Sequence, residues 1–193
     1  MIANRVSAHL DLLGPSLAVD TACSSTMTAM HLAVNAIVQD ECNTAVVAGC
    51  QMNHRFKDWI MYSQGSVLSP DGKCKPFDAN ANGFSRGEGC AAVVLRDLNL
   101  ALKANDRIYG VVLGSAINSG GSGGPPGAPV AEAQQIAMKK AFQVAGCDPK
   151  NVDYIELHAT GTRKGDPAEV NWVGNVFNRS EELVIGSVKG NIG

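Results

Sequence analysis

Segments with strand character and segments with helical character alternate along the chain, and this alternation is the strongest constraint on its fold. Residues 16–21 (Ser-Leu-Ala-Val-Asp-Thr) suit a short buried strand, and residues 23–38 follow with apolar side chains at helical spacing. There Met27, Met30, Val34 and Ile37 form one stripe, and Ala29, Ala33 and Ala36 a second, smaller one. Residues 44–52 are β-rich, 53–89 are punctuated by Gly and Pro and read as mostly irregular, 90–96 form a compact buried strand, and 97–104 a short helix. Residues 107–117 read as a long strand. The Gly- and Pro-rich stretch 118–129 is a loop that cannot be regular structure. Pro129 opens a helix that carries Ala133, Ala137, Ala141, Phe142 and Ala145 to its C-terminal Gly146. A strand over 152–157, a helix over 166–177 and a final strand over 183–188 complete the series. The pattern predicts an α/β layered fold with mostly buried strands.

The chain begins close to its first strand, with Asn4-Arg5-Val6-Ser7, and ends on Asn191-Ile192-Gly193 directly after the last. A layered α/β fold closes its sheet with further strands and helices, so the expectation is a domain incomplete at both ends.

Four stretches could converge on one site, because ligands in parallel sheets collect beyond the carboxyl ends of the strands. The first is Val19-Asp20-Thr21-Ala22-Cys23-Ser24-Ser25, a strand-to-helix junction. A thiol in the first turn of a buried helix faces unpaired N–H groups and the positive end of the helix dipole, which favour the nucleophilic thiolate. Cys23 could equally be a small buried hydrophobe. The second is His158, at the end of the strand 152–157 and followed by Ala159-Thr160-Gly161-Thr162. The third, Asp166-Pro167-Ala168-Glu169, has the form of a capping box, with Asp166 at the N-cap and Glu169 three residues on. Capping alone could account for it. The fourth is Lys189, just past the last strand, where a solvated surface lysine is the alternative. His9, His31 and His54 read as structural.

Bulk properties exclude several functions. With 193 residues, 45% hydrophobic and 18% charged, the chain is of ordinary globular composition. A formal net charge of −2 gives no electrostatic footprint for nucleic acid or an anionic membrane. No apolar run approaches the roughly 20 residues of a membrane span, and no signal peptide is visible. Six cysteines (23, 42, 50, 74, 90 and 147) lack metal-ligand spacing. They suggest reduced thiols and a cytoplasmic location. The glycines of 87–89 and 120–124 fit neither phosphate-binding pattern and read as turns.

These motifs together resemble the β-ketoacyl synthase (ketosynthase) domain of the thiolase-like superfamily, in particular that of type I polyketide synthases. The resemblance rests on Asp20-Thr21-Ala22-Cys23-Ser24-Ser25, on Pro76-Phe77-Asp78 with Gly83-Phe84-Ser85-Arg86-Gly87-Glu88-Gly89, on His158-Ala159-Thr160-Gly161-Thr162 with Gly165-Asp166-Pro167, and on Lys189-Gly190-Asn191-Ile192-Gly193. It implies a thiolase-like α/β fold of alternating layers (alpha-beta-alpha-beta-alpha), with residues 1–105 the remainder of an N-terminal half and 106–193 the start of a C-terminal half. It also implies a chemistry. Cys23 would take an acyl chain as a thioester from the phosphopantetheine of an acyl carrier protein. His158 would hydrogen-bond the malonyl thioester carbonyl and favour decarboxylation, and the enolate would attack acyl-Cys23. Thr160 and Thr162 would hold the pantetheine arm, and Lys189 would be the active-site lysine with Glu169 as its carboxylate partner. No cofactor or metal is implied beyond the carrier-borne substrates. The implied partners are the carrier protein, acyl and malonyl thioesters and a second copy in a homodimer, with neither nucleic acid nor membrane.

The family's second histidine would come directly after Gly193, so this stretch by itself is expected to be inactive in condensation. Three residues depart from the family's usual pattern: Asn82 in place of Asp, Ala159 in place of Gly, and Gly190 in place of Ser. A fatty-acid ketosynthase and a non-catalytic ketosynthase-like dimer partner are the alternatives. Arg86 leans toward the polyketide side, and the presence of Cys23 counts against the scaffold.

Overall fold

The computed structural model describes residues 1–124, 128–177 and 179–193. Part of the loop expected over 118–129 therefore lies outside the described residues. The chain divides into two compact units: residues 1–50 with 89–112, and 51–88 with 113–193.

In the first unit, helix α1 (Ile2–His9) precedes an irregular stretch, and a single 3-10 turn (Ala22–Ser24) leads into helix α2 (Ser25–Val38). Strand β1 (Thr44–Gln51) pairs with β2 (Gly89–Arg96), and helix α4 (Leu98–Ala104) follows. Asp97 caps α4 by accepting the Leu100 N–H at 3.0 Å, and Asn105 ends it in a left-handed conformation at φ 56°. Helix α2 packs against β2, and Val47 on β1 is 5% exposed. Two expectations fail here. No residue of α2 is buried, and β2 leaves Val93 and Val94 exposed; these neighbours point to opposite faces of the strand, so neither face of β2 is fully covered within this unit. Residues 16–21 and 107–117 form no strand either, because strand-prone side chains make a strand only when a neighbour completes the ladder.

The second unit holds helix α3 (Phe56–Gln64), which the Gly/Pro punctuation of 53–89 had concealed, and helix α5 (Ala131–Ala145). Gly146 ends α5 at φ 64°, a left-handed cap that glycine takes without steric cost. Strands β3 (Tyr154–Glu156) and β4 (Val184–Gly186) pair in parallel, with Ile155 opposite Ile185, and helix α6 (Gly165–Phe177) connects them. A short helical turn, α7 (Lys189–Ile192), follows β4. The core is Ile155, Leu157 and Ala159 from the β3 segment against Trp172, Val173 and Phe177 of α6, with Phe142 of α5 edge-on to Phe177 at 5.6 Å. Burying side chains of this size contributes about 1.5–3 kcal/mol each, which anchors α6 across both strands.

Candidate active site

Cys23 lies in the Ala22–Ser24 turn and is exposed rather than packed in a core. Side chains wind this turn tightly. The Asp20 carboxylate accepts the Ala22 N–H at 3.1 Å, the Ser24 hydroxyl donates to the Thr21 carbonyl at 3.0 Å, and the Ser25 hydroxyl donates to the Ala22 carbonyl at 2.7 Å. The Thr21 N–H in turn donates to the Ser25 oxygen at 2.9 Å. These bonds hold Ala22 at φ 56°, a conformation that costs about 1–2 kcal/mol in a residue with a Cβ. Strain of this kind persists where surrounding bonds overdetermine it, and it clusters at functional sites. Its effect is to bend the chain sharply just before the sulfur and to present Cys23 one residue ahead of Ser24, the N-cap of α2.

In the second unit the structure brings His158, Thr160, Thr162, Asp166, Glu169 and Lys189 to the carboxyl end of the β3–β4 pair. His158 is two residues beyond β3, and Lys189 begins α7 three residues beyond β4. The two strand exits are tied together. The Leu157 N–H donates to the Gly186 carbonyl at 2.8 Å, the Val188 N–H donates to Glu156 Oε1 at 2.6 Å, and the Ser187 hydroxyl reaches the His158 carbonyl at 3.5 Å.

Two buried carboxylates of α6 shape the loop that carries His158. Glu169, 8% exposed, accepts the His158 N–H at 2.9 Å on one oxygen and the Ala159 N–H at 2.6 Å on the other. Asp166, 5% exposed, accepts the Gly161 and Thr162 N–H groups at 3.1 and 3.2 Å on Oδ1, and the Phe77 N–H at 3.0 Å on Oδ2. The N–H dipoles compensate the buried charge. This overturns the capping-box expectation. Helix α6 begins at Gly165, so Asp166 lies inside it, and the hydroxyl of Thr162 takes the Gly165 N–H at 3.1 Å instead. Both Glu169 oxygens are engaged by backbone. Among the described residues, no ion pair within 4.0 Å joins Glu169 to Lys189.

Ala159, where glycine is usual, is fully buried at φ 30°, and its two-point anchorage through the neighbouring N–H bonds explains how a Cβ is tolerated there. Each of the two expected reacting residues thus adjoins an alanine of positive φ. Asn82 replaces the usual Asp as an acceptor, taking bonds from the Ser69 hydroxyl at 2.9 Å and Lys75 Nζ at 3.1 Å. A Cβ at Gly190 would stand 3.4 Å from Pro76 Cδ, ordinary contact, so nothing in the geometry requires glycine there.

His158 is held below its ordinary value of 6.5, first by loss of solvent around the ring and then by the positive charge of Lys189; Glu169 and Asp166 oppose the shift. Although the residue as a whole is exposed, the imidazole is therefore neutral at pH 7 and able to donate from one ring nitrogen. Because the folded value is depressed, an unfolded chain takes up the proton first as pH falls through 6.5, so stability declines from there until the folded ring also protonates. We expect His158→Gln to flatten this decline, measured as urea midpoints across the range. An unchanged slope would show that another group is responsible.

Sequence reasoning missed the contacts of two further residues. Arg86 stacks over Tyr62 at 4.7 Å and Trp59 at 5.4 Å and donates to Asn53 Oδ1 at 2.9 Å, fastening 83–88 to α3. Its aromatic partners lie more than twenty residues upstream, with no local pattern to announce them. The Cys74 thiol is buried and donates to the Thr160 carbonyl at 3.1 Å; burial and then the charge of Asp166 push its pKa up. A separate open cleft, lined by Lys150, Asn151, Arg179, Ser180 and Glu181, lies at the amino ends of β3 and β4, away from these groups. No helix among the described residues is long and apolar enough to cross a membrane, and no cluster of three metal-ligating side chains occurs among them.

Comparison with known proteins assigns the class first: solved structures similar over the whole chain are ketosynthases of thiolase-like α/β fold. A ketosynthase from module 6 of the bacillaene synthase of Bacillus subtilis 168 matches with TM-score 0.96 and 39% identity, covering 99% of this chain and 35% of that one. An oxazolomycin ketosynthase domain of Streptomyces albus JA3453 matches with TM-score 0.96 and 38% identity, covering 100% of this chain and 34% of that one. Sequence profiles described as Beta-ketoacyl synthase, N-terminal domain, and Beta-ketoacyl synthase, C-terminal domain, match residues 1–101 and 109–193. The chain therefore belongs to the β-ketoacyl synthase family. Among curated relatives, the highly reducing polyketide synthase stpks1 of Strobilurus tenacellus is 55% identical over 192 residues, covering 100% of this chain and 7% of that protein. The non-reducing polyketide synthase mapC of Penicillium brevicompactum is 45% identical over 195 residues, covering 100% of this chain and 8% of that protein. The chain thus spans less than a tenth of the length of these two relatives.

Proposed function

We propose that these residues serve the decarboxylative Claisen condensation of polyketide chain elongation, within a type I synthase. Cys23 receives the acyl chain by transthiolation from the phosphopantetheine of an acyl carrier protein. The thiolate suits this step because it is both a strong nucleophile and an acceptable leaving group. His158 donates a hydrogen bond to the malonyl thioester carbonyl and stabilises the enolate left by loss of carbon dioxide, as a neutral imidazole should. The enolate carbon then attacks the acyl carbonyl on Cys23, and the sulfur leaves. Lys189 supplies positive charge beside His158 and so keeps its ring neutral. Glu169 is a positioning residue that fixes the His158–Ala159 backbone. Thr162 accepts bonds from Gly165 N–H and Thr160 Oγ1, which leaves its own proton for a pantetheine carbonyl. We assign residues 1–105 and 106–193 to the two halves of the ketosynthase domain, which acts as a homodimer in the cytoplasm.

The observation that carries this reading is the placement of His158 and Lys189 at adjoining exits of paired parallel strands, on a loop whose N–H groups are tied to Glu169 and Asp166. Intact-protein mass spectrometry with an acyl-pantetheine thioester tests it. In the full-length synthase a single acyl adduct should form on Cys23 and vanish in Cys23→Ala, while His158→Ala should retain the adduct but lose carbon dioxide release from a malonyl thioester. An adduct that survives Cys23→Ala overturns the assignment. In the full-length synthase iodoacetamide should likewise modify Cys23 ahead of Cys42, Cys50, Cys74, Cys90 and Cys147 near neutral pH. Equal rates would favour a scaffold role.

A further inference from the structure

Two cysteines outside the site face one another across the β1–β2 ladder. The Asp97 N–H, just past β2, donates to the Asn43 carbonyl, just before β1, at 3.1 Å. Because β1 and β2 pair, a bond from the residue just past β2 to the residue just before β1 requires the strands to run antiparallel. Continued along the ladder, the register that sets Asn43 opposite Asp97 sets Cys50 opposite Cys90 at the other ends of the two strands. Counting from the hydrogen-bonded pair 43/97, every second pair is non-hydrogen-bonded, and 50/90 is one of these. In such pairs the Cα atoms stand about 4.5 Å apart and the side chains are at their closest, within the range a disulfide spans. Cys50 and Cys90 are both exposed. They share a face with Val46 and Val94, also exposed, whereas Val47, one residue out of phase, is buried.

We propose that Cys50 and Cys90 are a cross-strand dithiol that a small-molecule disulfide oxidises reversibly to an intramolecular disulfide. The Cys50 thiolate attacks one sulfur of oxidised glutathione and expels a glutathione thiolate. Cys90, deprotonated, then attacks the Cys50 sulfur of the mixed disulfide and expels the second. Two electrons pass from the cysteine pair to glutathione, and the two thiol protons end on two glutathione molecules or in solvent. Neither Cys23 nor His158 takes part, so the outcome is independent of the condensation chemistry. The pairing also raises the Cys50 thiol above its ordinary value, through loss of solvent and then the neighbouring Cys90, so the reaction should accelerate as pH rises above neutrality.

The test treats the chain with oxidised glutathione, blocks remaining thiols with iodoacetamide and maps peptides without reduction by tandem mass spectrometry. A linkage between Cys50 and Cys90, lighter by two hydrogens and at least about tenfold more abundant than any other cysteine pairing, is expected from their effective concentration. Dithiothreitol should remove it. Cys50→Ser should leave Cys90 carrying a stable glutathione adduct, and Cys90→Ser the converse. Stable glutathione adducts on both residues of the unmutated chain, or linkages spread evenly over the six cysteines, would overturn the proposal.

Discussion

Truncation of Asp166 to alanine is expected to destabilise the second unit by about 2–5 kcal/mol, because three backbone N–H groups, one buried and two part-buried, lose their acceptor together. Gly161, Thr162 and Phe77 all donate to this one carboxylate, which joins the His158 loop to the segment around Phe77. Against a total stability of about 5–15 kcal/mol, that loss approaches unfolding. Asp166→Asn separates charge from hydrogen bonding. Its oxygen still accepts from Gly161 and Thr162, while its amide nitrogen meets the Phe77 N–H donor to donor, so about half the cost should remain. Urea midpoints measure both. A cost below about 1 kcal/mol for the alanine variant would mean the three donors find other partners. The asparagine variant has a second readout. The Asp166 charge holds up both the His158 and Cys74 titrations, so each should move to lower pH, by NMR for the imidazole and by pH-dependent alkylation for the thiol.

Replacement of Gly83 with alanine is expected to cost about 4 kcal/mol or more, at the extreme of single substitutions. The added Cβ would stand 2.5 Å from the Leu68 carbonyl carbon, 2.6 Å from the Ser69 nitrogen and 2.7 Å from the Val67 oxygen, all backbone atoms that cannot rotate aside. Gly83 also sits at φ 130°, where a side chain is strained whatever the space. The contact is close because the Phe84 N–H donates to Val67 and the Ser69 N–H to Phe84, each at 2.9 Å, while the Gly83 N–H donates to the Gly161 carbonyl at 3.0 Å. A Cβ would pry the 67–69 segment from the His158 loop. Gly72→Ala is the control: its φ is 66° but its Cβ would meet nothing within 4 Å, so only the left-handed penalty of about 1–2 kcal/mol applies. Circular dichroism and urea unfolding of both variants decide it, and equal losses would refute the steric account.

The local setting of each candidate residue was legible because it is built from short stretches. Cys23 at a helix entry, His158 beyond a strand and Lys189 beyond another follow from short stretches whose pattern switches between two-residue and helical periods. The carboxylates of α6 were not legible in the same way. Asp166 and Glu169 at that spacing satisfy a capping box, and nothing local says that Phe77, 89 residues upstream, will compete for Asp166. Arg86 was visible as a motif residue, but its place between two rings depends on α3 packing beside it.

What the sequence determined by itself is the identity of the longer elements. Helices α2, α5 and α6 and strands β1 and β2 lie close to their expected places, because side-chain period and glycine punctuation act within a few residues. Only the tertiary structure decided that 16–21 and 107–117 form no ladder, and that two acidic residues of α6 hold loop backbone rather than their own helix end. Both decisions turn on hydrogen-bond partners, and a partner distant in sequence is chosen by the packing that brings it near. An apolar stripe acts through its own helix; a buried donor or acceptor waits for whichever group the fold delivers.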